Sequence, residues 1–125
     1  ESSASYKRQQ LADYALQFVG GPYQYGGSDP HTGVDCSGFT RYVYQHGAGI
    51  TLNRSSRGQA LQGKEISADQ MRPGDLLFYG SKSNIDHVAM YIGEGKIVHA
   101  STERTGITIS NWNYRNPVKI RSIME

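Results

Sequence analysis

A chain of 125 residues has room for one hydrophobic core and not for two. With 37% hydrophobic and 19% charged residues it is globular in composition rather than disordered. A net charge of +2, with no run of Lys or Arg, argues against nucleic acid as a partner, although it suits approach to an anionic polymer.

No stretch approaches the roughly 18 consecutive apolar residues of a membrane helix. No leader pattern is visible, and Glu1 in place of Met reads as the start of an excised or mature piece. The single cysteine, Cys36, rules out an internal disulfide. Fifteen glycines imply many turns, and nine tyrosines suit a half-wet cleft.

The first six residues are polar and are expected as a flexible end, with one domain over residues 7–125. From Tyr6 to Val19 the apolar residues Leu11, Tyr14, Ala15 and Phe18 recur at helical spacing, until Gly20-Gly21-Pro22 stops the helix. Residues 22–35 read as loop. A second helix is expected from Asp35-Cys36-Ser37, capped by Asp35, with Phe39, Tyr42, Val43 and His46 in sequence and Gly47 and Gly49 at its end. A short third helix fits Ser55 to Leu61, and Ser67 with Gln70 has capping-box spacing for a helical turn at 68–71. After Pro73-Gly74-Asp75 the pattern changes to strands: Leu76–Tyr79, His87–Ile92, Lys96–Ala100, Gly106–Ser110 and Val118–Ile123. Helices first and antiparallel strands after make the fold class α+β.

A lone cysteine is usually an inert packing residue. Cys36 has other company. It stands at a helix start, where unpaired N–H groups favour a thiolate and are expected to lower the thiol pKa. The same N–H groups could hold an oxyanion during acyl transfer, and Gly38 could let a substrate backbone come close.

A cysteine nucleophile needs a proton acceptor, and histidine suits that near neutral pH. His46 shares the apolar stripe of Phe39 and Val43 and reads as a packing residue; His31, beside Pro30, reads as solvated. His87 and His99 are different. With a three-residue loop at 93–95, Ile92 pairs with Lys96 and His99 lies opposite Ala89, so the two histidines become diagonal neighbours on one face. That face would carry His87, Ala89, Tyr91, Ile97 and His99 and could line a cleft; the other, with Val88, Met90, Ile92 and Val98, should meet the core. Nucleophile, base and orienter would then be Cys36, His87 and His99.

Asp35-Cys36-Ser37-Gly38-Phe39, His87-Val88-Ala89-Met90-Tyr91-Ile92-Gly93 and Val98-His99-Ala100-Ser101 together resemble the NlpC/p60 peptidases, as do Tyr23-Gln24-Tyr25-Gly26-Gly27 and Arg72-Pro73-Gly74-Asp75-Leu76. The resemblance runs from about residue 7 to the end. It implies a papain-like fold, with helices packed on a small antiparallel sheet. It implies a Cys36–His87–His99 triad, His99 being the member that varies in kind across the family, and an orienting role for Tyr23. It also implies that Asp35, Ser37, Arg54 and Ser55 border the substrate cleft, with Asp35 and Ser37 near the amino end of a stem peptide. The implied reaction is hydrolysis of the bond between D-glutamate, through its γ-carboxyl, and a diamino acid in peptidoglycan stems. No cofactor or metal is implied, a monomer is expected, and the place of action would be secreted, wall-associated or periplasmic in a bacterium.

Asp86, just before His87, could raise that histidine's pKa, although consecutive strand residues face opposite ways. Three rival readings stay open at this point. Cys36, His87 and His99 could hold zinc; the scaffold could bind wall without cutting it; or the chemistry could act on another bond, as an amidase or a crosslink endopeptidase.

Overall fold

The computed structural model describes residues 3–124. Helix α1 (Ser3–Leu16) is followed by a two-stranded ribbon of β1 (Ser28–Asp29) and β2 (Gly33–Val34). Helix α2 (Cys36–Ala48) and a single turn α3 (Ser56–Gln59) come next. Then follow β3 (Lys64–Glu65), a 3₁₀ turn at Ala68–Gln70, β4 (Leu76–Ser81), β5 (Asn84–Gly93), β6 (Lys96–Thr102), β7 (Gly106–Asn111) and β8 (Lys119–Ser122). Six strands form one antiparallel sheet in the order β3-β8-β4-β5-β6-β7. The α+β order expected from the sequence is the one found.

Helix α1 starts at Ser3, so Ser3–Tyr6 are helical where an unstructured end was expected; Glu1 and Ser2 lie outside the described residues. The helix also ends earlier, at Leu16. The N–H groups of Gln17, Phe18 and Val19 reach back only three residues, to Tyr14, Ala15 and Leu16, which tightens the last turn. Gly20 and Gly21 then leave the helix to bond across to Ile107 of β7.

The buried face of α1 includes a charge. Arg8 is 1% exposed, one turn before Leu11 and Ala12, and its guanidinium meets Asp75 at 2.7 Å. It also donates to the Pro73 carbonyl, Ser122 Oγ and the Met124 carbonyl. A buried ion pair of this kind is tolerable because every polar direction is answered. Beside it, Tyr44 of α2 is fully buried and its hydroxyl donates to the Gly74 carbonyl. The 72–75 turn is thus tied to both helices.

Helix α2 is held at both ends. Asp35 Oδ1 accepts from the Gly38 N–H at 2.7 Å, as the sequence suggested, and Gly49 takes a left-handed φ of 69° with its N–H on the Gln45 and Tyr44 carbonyls. Its core face is Phe39, Thr40, Val43 and Tyr44. His46 is not on that face: it is exposed, stacks on Tyr42 at 4.0 Å between ring centroids and bonds the Tyr42 carbonyl. The last turn meets α1 and the core through Gly47 and Ala48 instead. His31 is exposed, as expected, and pairs with Asp29 at 2.9 Å.

Leu76, Leu77, Phe78 and Tyr79 are all fully buried, because β4 lies between β5 and β8 with both sheet faces covered. On the helix side, Leu76, Phe78, Val88, Met90 and Val98 pack with residues of α1 and α2. On the other, Leu77, Tyr79, Ala89, Ile97 and Ile120 form a smaller core closed by Ile66, Met71, Tyr91 and Trp112. The face expected to line a cleft is therefore itself packed over most of its length.

The β5–β6 turn has two residues rather than three. Glu94 (φ 54°) and Gly95 (φ 75°) make it, with Gly93 opposite Lys96. One extra residue, Ile92, is then accommodated as a bulge, which restores Tyr91↔Ile97 and Met90↔Val98. The bulge cancels the slip that a two-residue turn would cause, so His99 lies level with Ala89 after all.

Candidate active site

Cys36 is the first residue of α2, half-buried where the helix meets β5. The N–H groups of β5 alternate. Tyr91 donates to Asp75 on the β4 side, so Val88 donates towards β6. The β5–β6 ladder has no pair beyond Met90↔Val98, and the Val88 N–H, left without a β6 partner there, acts on the Cys36 thiol and pulls its pKa down. The N–H groups of Ser37 and Cys36 act on the thiol in the same direction from the helix start. A local parting of two strands thus admits the helix terminus beside the His87–Val88 peptide.

His87 and His99 are 8% and 1% exposed, and His87 Nε2 lies 2.7 Å from His99 Nδ1. The other ring nitrogen of His99, Nε2, is 2.9 Å from Ser110 Oγ. Among the described residues His87 Nδ1 takes part in no hydrogen bond and no buried side-chain nitrogen or oxygen lacks a partner, so Nδ1 is in reach of solvent. No hydrogen bond among the described residues joins the Cys36 thiol to the His87 ring.

Tyr114 packs on His99, its ring centroid 5.3 Å from those of His99 and Tyr79. Arg115 lies 5.6 Å over the Tyr79 ring and pairs with Asp86 at 3.1 Å. Asp86 thus has a cation of its own.

The electrostatics differ from the sequence expectation. Burial is the largest effect on Cys36 and pushes its thiol up; the N–H groups of Val88, Ser37 and Cys36 pull the other way without winning, and Asp35 adds to the rise. A helix start lowers a thiol pKa only where its N–H groups outweigh the loss of solvent, and at half-buried Cys36 they do not. Burial holds His87 down to about 3, with His99 and Arg115 adding to the depression and Asp86 opposing it. Burial also holds His99 down to about 4. Each group, taken alone, is neutral at pH 7.

Two further expectations change. Gly38 does not open onto substrate space. A Cβ there would lie 2.3 Å from the Gly27 carbonyl and 2.9 Å from Asp35 Oδ1, so the glycine lets the 26–27 loop close on the helix start. The zinc reading also loses its basis: no group of three His, Cys, Asp or Glu among the described residues could hold a metal ion, and the facing ring nitrogens of His87 and His99 are joined by a hydrogen bond, one donating and one accepting.

The residues expected to border substrate lie together. Arg54 bonds both Asp35 oxygens at 3.1 Å, Ser37 Oγ at 3.0 Å and the Gly27 carbonyl at 3.0 Å. Tyr23 packs against the core beside Val34; burial pushes its hydroxyl up first, and Cys36 and Asp35 follow as causes. Ser55 is exposed and caps α3 by accepting from the Gly58 N–H. Ser110 was missed. Its strand was recognised, but the β6–β7 register that brings it to His99 has no sequence signal as clear as a two-glycine turn.

The sequence profile of the NlpC/P60 family matches residues 20–121. The chain belongs to the NlpC/P60 family. It is 41% identical over 108 residues to the gamma-DL-glutamyl hydrolase of Bacillus subtilis, covering 86% of this chain but 25% of that protein. It is 37% identical over 106 residues to the murein DD-endopeptidase MepS/murein LD-carboxypeptidase of Escherichia coli, covering 85% of this chain and 55% of that one. The chain thus spans a quarter to about half of these curated relatives. The crystal structure of the NlpC/p60 domain of the peptidoglycan hydrolase SagA superposes with a TM-score of 0.85 at 35% identity, over 93% of this chain and 98% of that one. The helices and six-stranded sheet described above are thus the NlpC/P60 fold.

Proposed function

We propose that residues 7–125 form a cysteine endopeptidase that hydrolyses peptidoglycan stem peptides at the γ-D-glutamyl–diamino acid bond. The observation that carries this is the placement of Cys36 at a helix start, against the peptide that carries His87, with His87 already bonded to a second histidine. The murein endopeptidase and peptidoglycan hydrolase among the chain's relatives support a peptidoglycan substrate, the gamma-DL-glutamyl hydrolase supports a γ-glutamyl bond, and such a substrate puts the site of action outside the cytoplasm: secreted, wall-associated or periplasmic.

Burial disfavours the charged form of each partner, which fits a proton that moves when substrate arrives rather than beforehand. Cys36 Sγ–H gives its proton to His87 Nδ1 as the sulfur attacks the γ-glutamyl carbonyl, a contact that tightens once the peptide is held. The charge that develops on the carbonyl oxygen is met by N–H groups at the α2 start. His87 then protonates the departing amine, leaving a thioester on Cys36, and next takes a proton from water as it attacks that thioester and frees the acid. His99 accepts from His87 Nε2–H throughout and so orients the ring.

Tyr23 lines the approach to the sulfur. Arg54 locks Asp35 and Ser37 in place, so that their outer edges and Ser55 can receive the amino end of the stem. No cofactor takes part, and the domain acts as a monomer.

Mass spectrometry of products from defined muropeptides tests this. Wild type should release fragments ending in D-glutamate with a free γ-carboxyl, and Cys36→Ala should remain folded and release none. Cleavage of a crosslink instead, the activity in the name of the Escherichia coli relative, would keep the chemistry and change the bond. An amidase product would do the same. Binding to wall fragments with no product at all would favour a non-catalytic module.

A further inference from the structure

His99 can accept a proton at Nδ1 from His87 only if its own proton sits on Nε2, and that N–H needs an acceptor in a nearly closed space. Ser110 Oγ, 2.9 Å away, is the side chain that stands there. The sheet register explains why. His99 is opposite Thr108 on β7 and Ile97 is opposite Ser110, so Ser110 is the diagonal neighbour of His99 on the same face. His87 reaches His99 by a diagonal step of the same kind from β5. The line His87–His99–Ser110 thus crosses three strands with one hydrogen bond per step.

We propose that Ser110 is a positioning residue: by accepting from His99 Nε2–H it fixes the His99 tautomer, and through it leaves His87 Nδ1 free to take the proton of Cys36. The opposite arrangement, with Ser110 donating, would put the His99 proton on Nδ1. The proton of His87 would then have to sit on Nδ1, and the ring could not act as a base toward the thiol. A neutral hydroxyl can accept from His99 Nε2–H without placing a charge next to two buried imidazoles, as a carboxylate would.

The inference rests on the catalytic reading of the preceding section, but its first test does not. Long-range ¹H–¹⁵N spectra of the histidine rings in the Cys36→Ala protein should show His99 as the Nε2–H form, and adding Ser110→Ala should give a tautomer mixture. A His99 ring protonated at Nδ1 in the parent, or an unchanged tautomer after Ser110→Ala, would overturn the proposal whether or not the protein hydrolyses anything.

The second test is kinetic. With the thiol intact, Ser110→Ala should lower kcat about tenfold, the size of one lost hydrogen bond, with KM little changed. Ser110→Thr, which keeps the hydroxyl on a strand-compatible side chain, should stay within about twofold. The pH profile should move with the alanine variant and not with the threonine one. The groups that bear on it are Tyr79 from β4, Asp86 beside His87 on β5, Tyr114 and Arg115 from the β7–β8 connection, and Cys36 itself, all of them left in place. Equal losses in both variants, or none in either, would count against a tautomer-setting role.

Discussion

Lowering the pH from 7 to 4.5 should destabilise the domain chiefly through His87 and His99. In the native state both rings are held neutral, His87 down to about 3 and His99 down to about 4, whereas an unfolded histidine titrates near 6.5. Between those values the unfolded chain binds more protons than the native one, so stability falls as pH falls through the unfolded value. Each group contributes about 1.4 kcal/mol per pH unit, so two groups over two units cost about 5 kcal/mol between pH 6.5 and 4.5. A domain of this size has roughly 5–15 kcal/mol in total.

The geometry sharpens the point. Two nitrogens 2.7 Å apart share one proton, and the doubly charged pair would set N–H against N–H. Urea titrations followed by Trp112, the single tryptophan, should show the midpoint falling steeply below pH 6.5. The variants His87→Gln and His99→Gln should each remove about half of that slope. A midpoint flat from pH 7 to 5, or an unchanged slope in both variants, would refute the account of a neutral buried pair.

Arg8→Ala leaves Asp75 buried without its cation and should cost about 3–5 kcal/mol, read as a large drop in melting temperature. The double replacement Arg8→Met with Asp75→Leu should lose less than the single one. Gly38→Ala pushes a methyl to 2.3 Å from the Gly27 carbonyl; it should cost about 1–3 kcal/mol and reduce turnover by shifting the α2 start, checked by melting and by rate. His87→Ala should cut kcat/KM by about 10²–10⁴-fold, while His99→Ala retains more than His87→Ala does, measured on the same muropeptide.

Much of the fold was legible because short-range signals governed it. Asp35 at a helix start and the Ser67–Gln70 capping box each fix a local geometry, and the structure has both. The pairing of the histidines was legible too, although the turn has two residues and a bulge at Ile92 where a three-residue loop was expected. What stayed hidden depended on long-range packing. Arg8 looks like any charge on a polar helix until Asp75, 67 residues away, comes to meet it. The raised thiol pKa of Cys36 follows from enclosure against β5, which no helix-start argument contains. Ser110 acquires its place only from the β6–β7 register. The packing of the second sheet face depends on Trp112 and Ile66 returning from distant segments.

The most direct test of the catalytic reading is an affinity label. A stem-peptide analogue whose D-glutamyl γ-carboxyl is replaced by a diazomethyl ketone should react only where a thiol is aimed at that carbon. Tryptic mapping should place a single adduct on Cys36, and the adduct should fail to form in His87→Ala. An enzyme that cleaves the natural stem yet leaves Cys36 unlabelled, or one labelled equally well without His87, would contradict it.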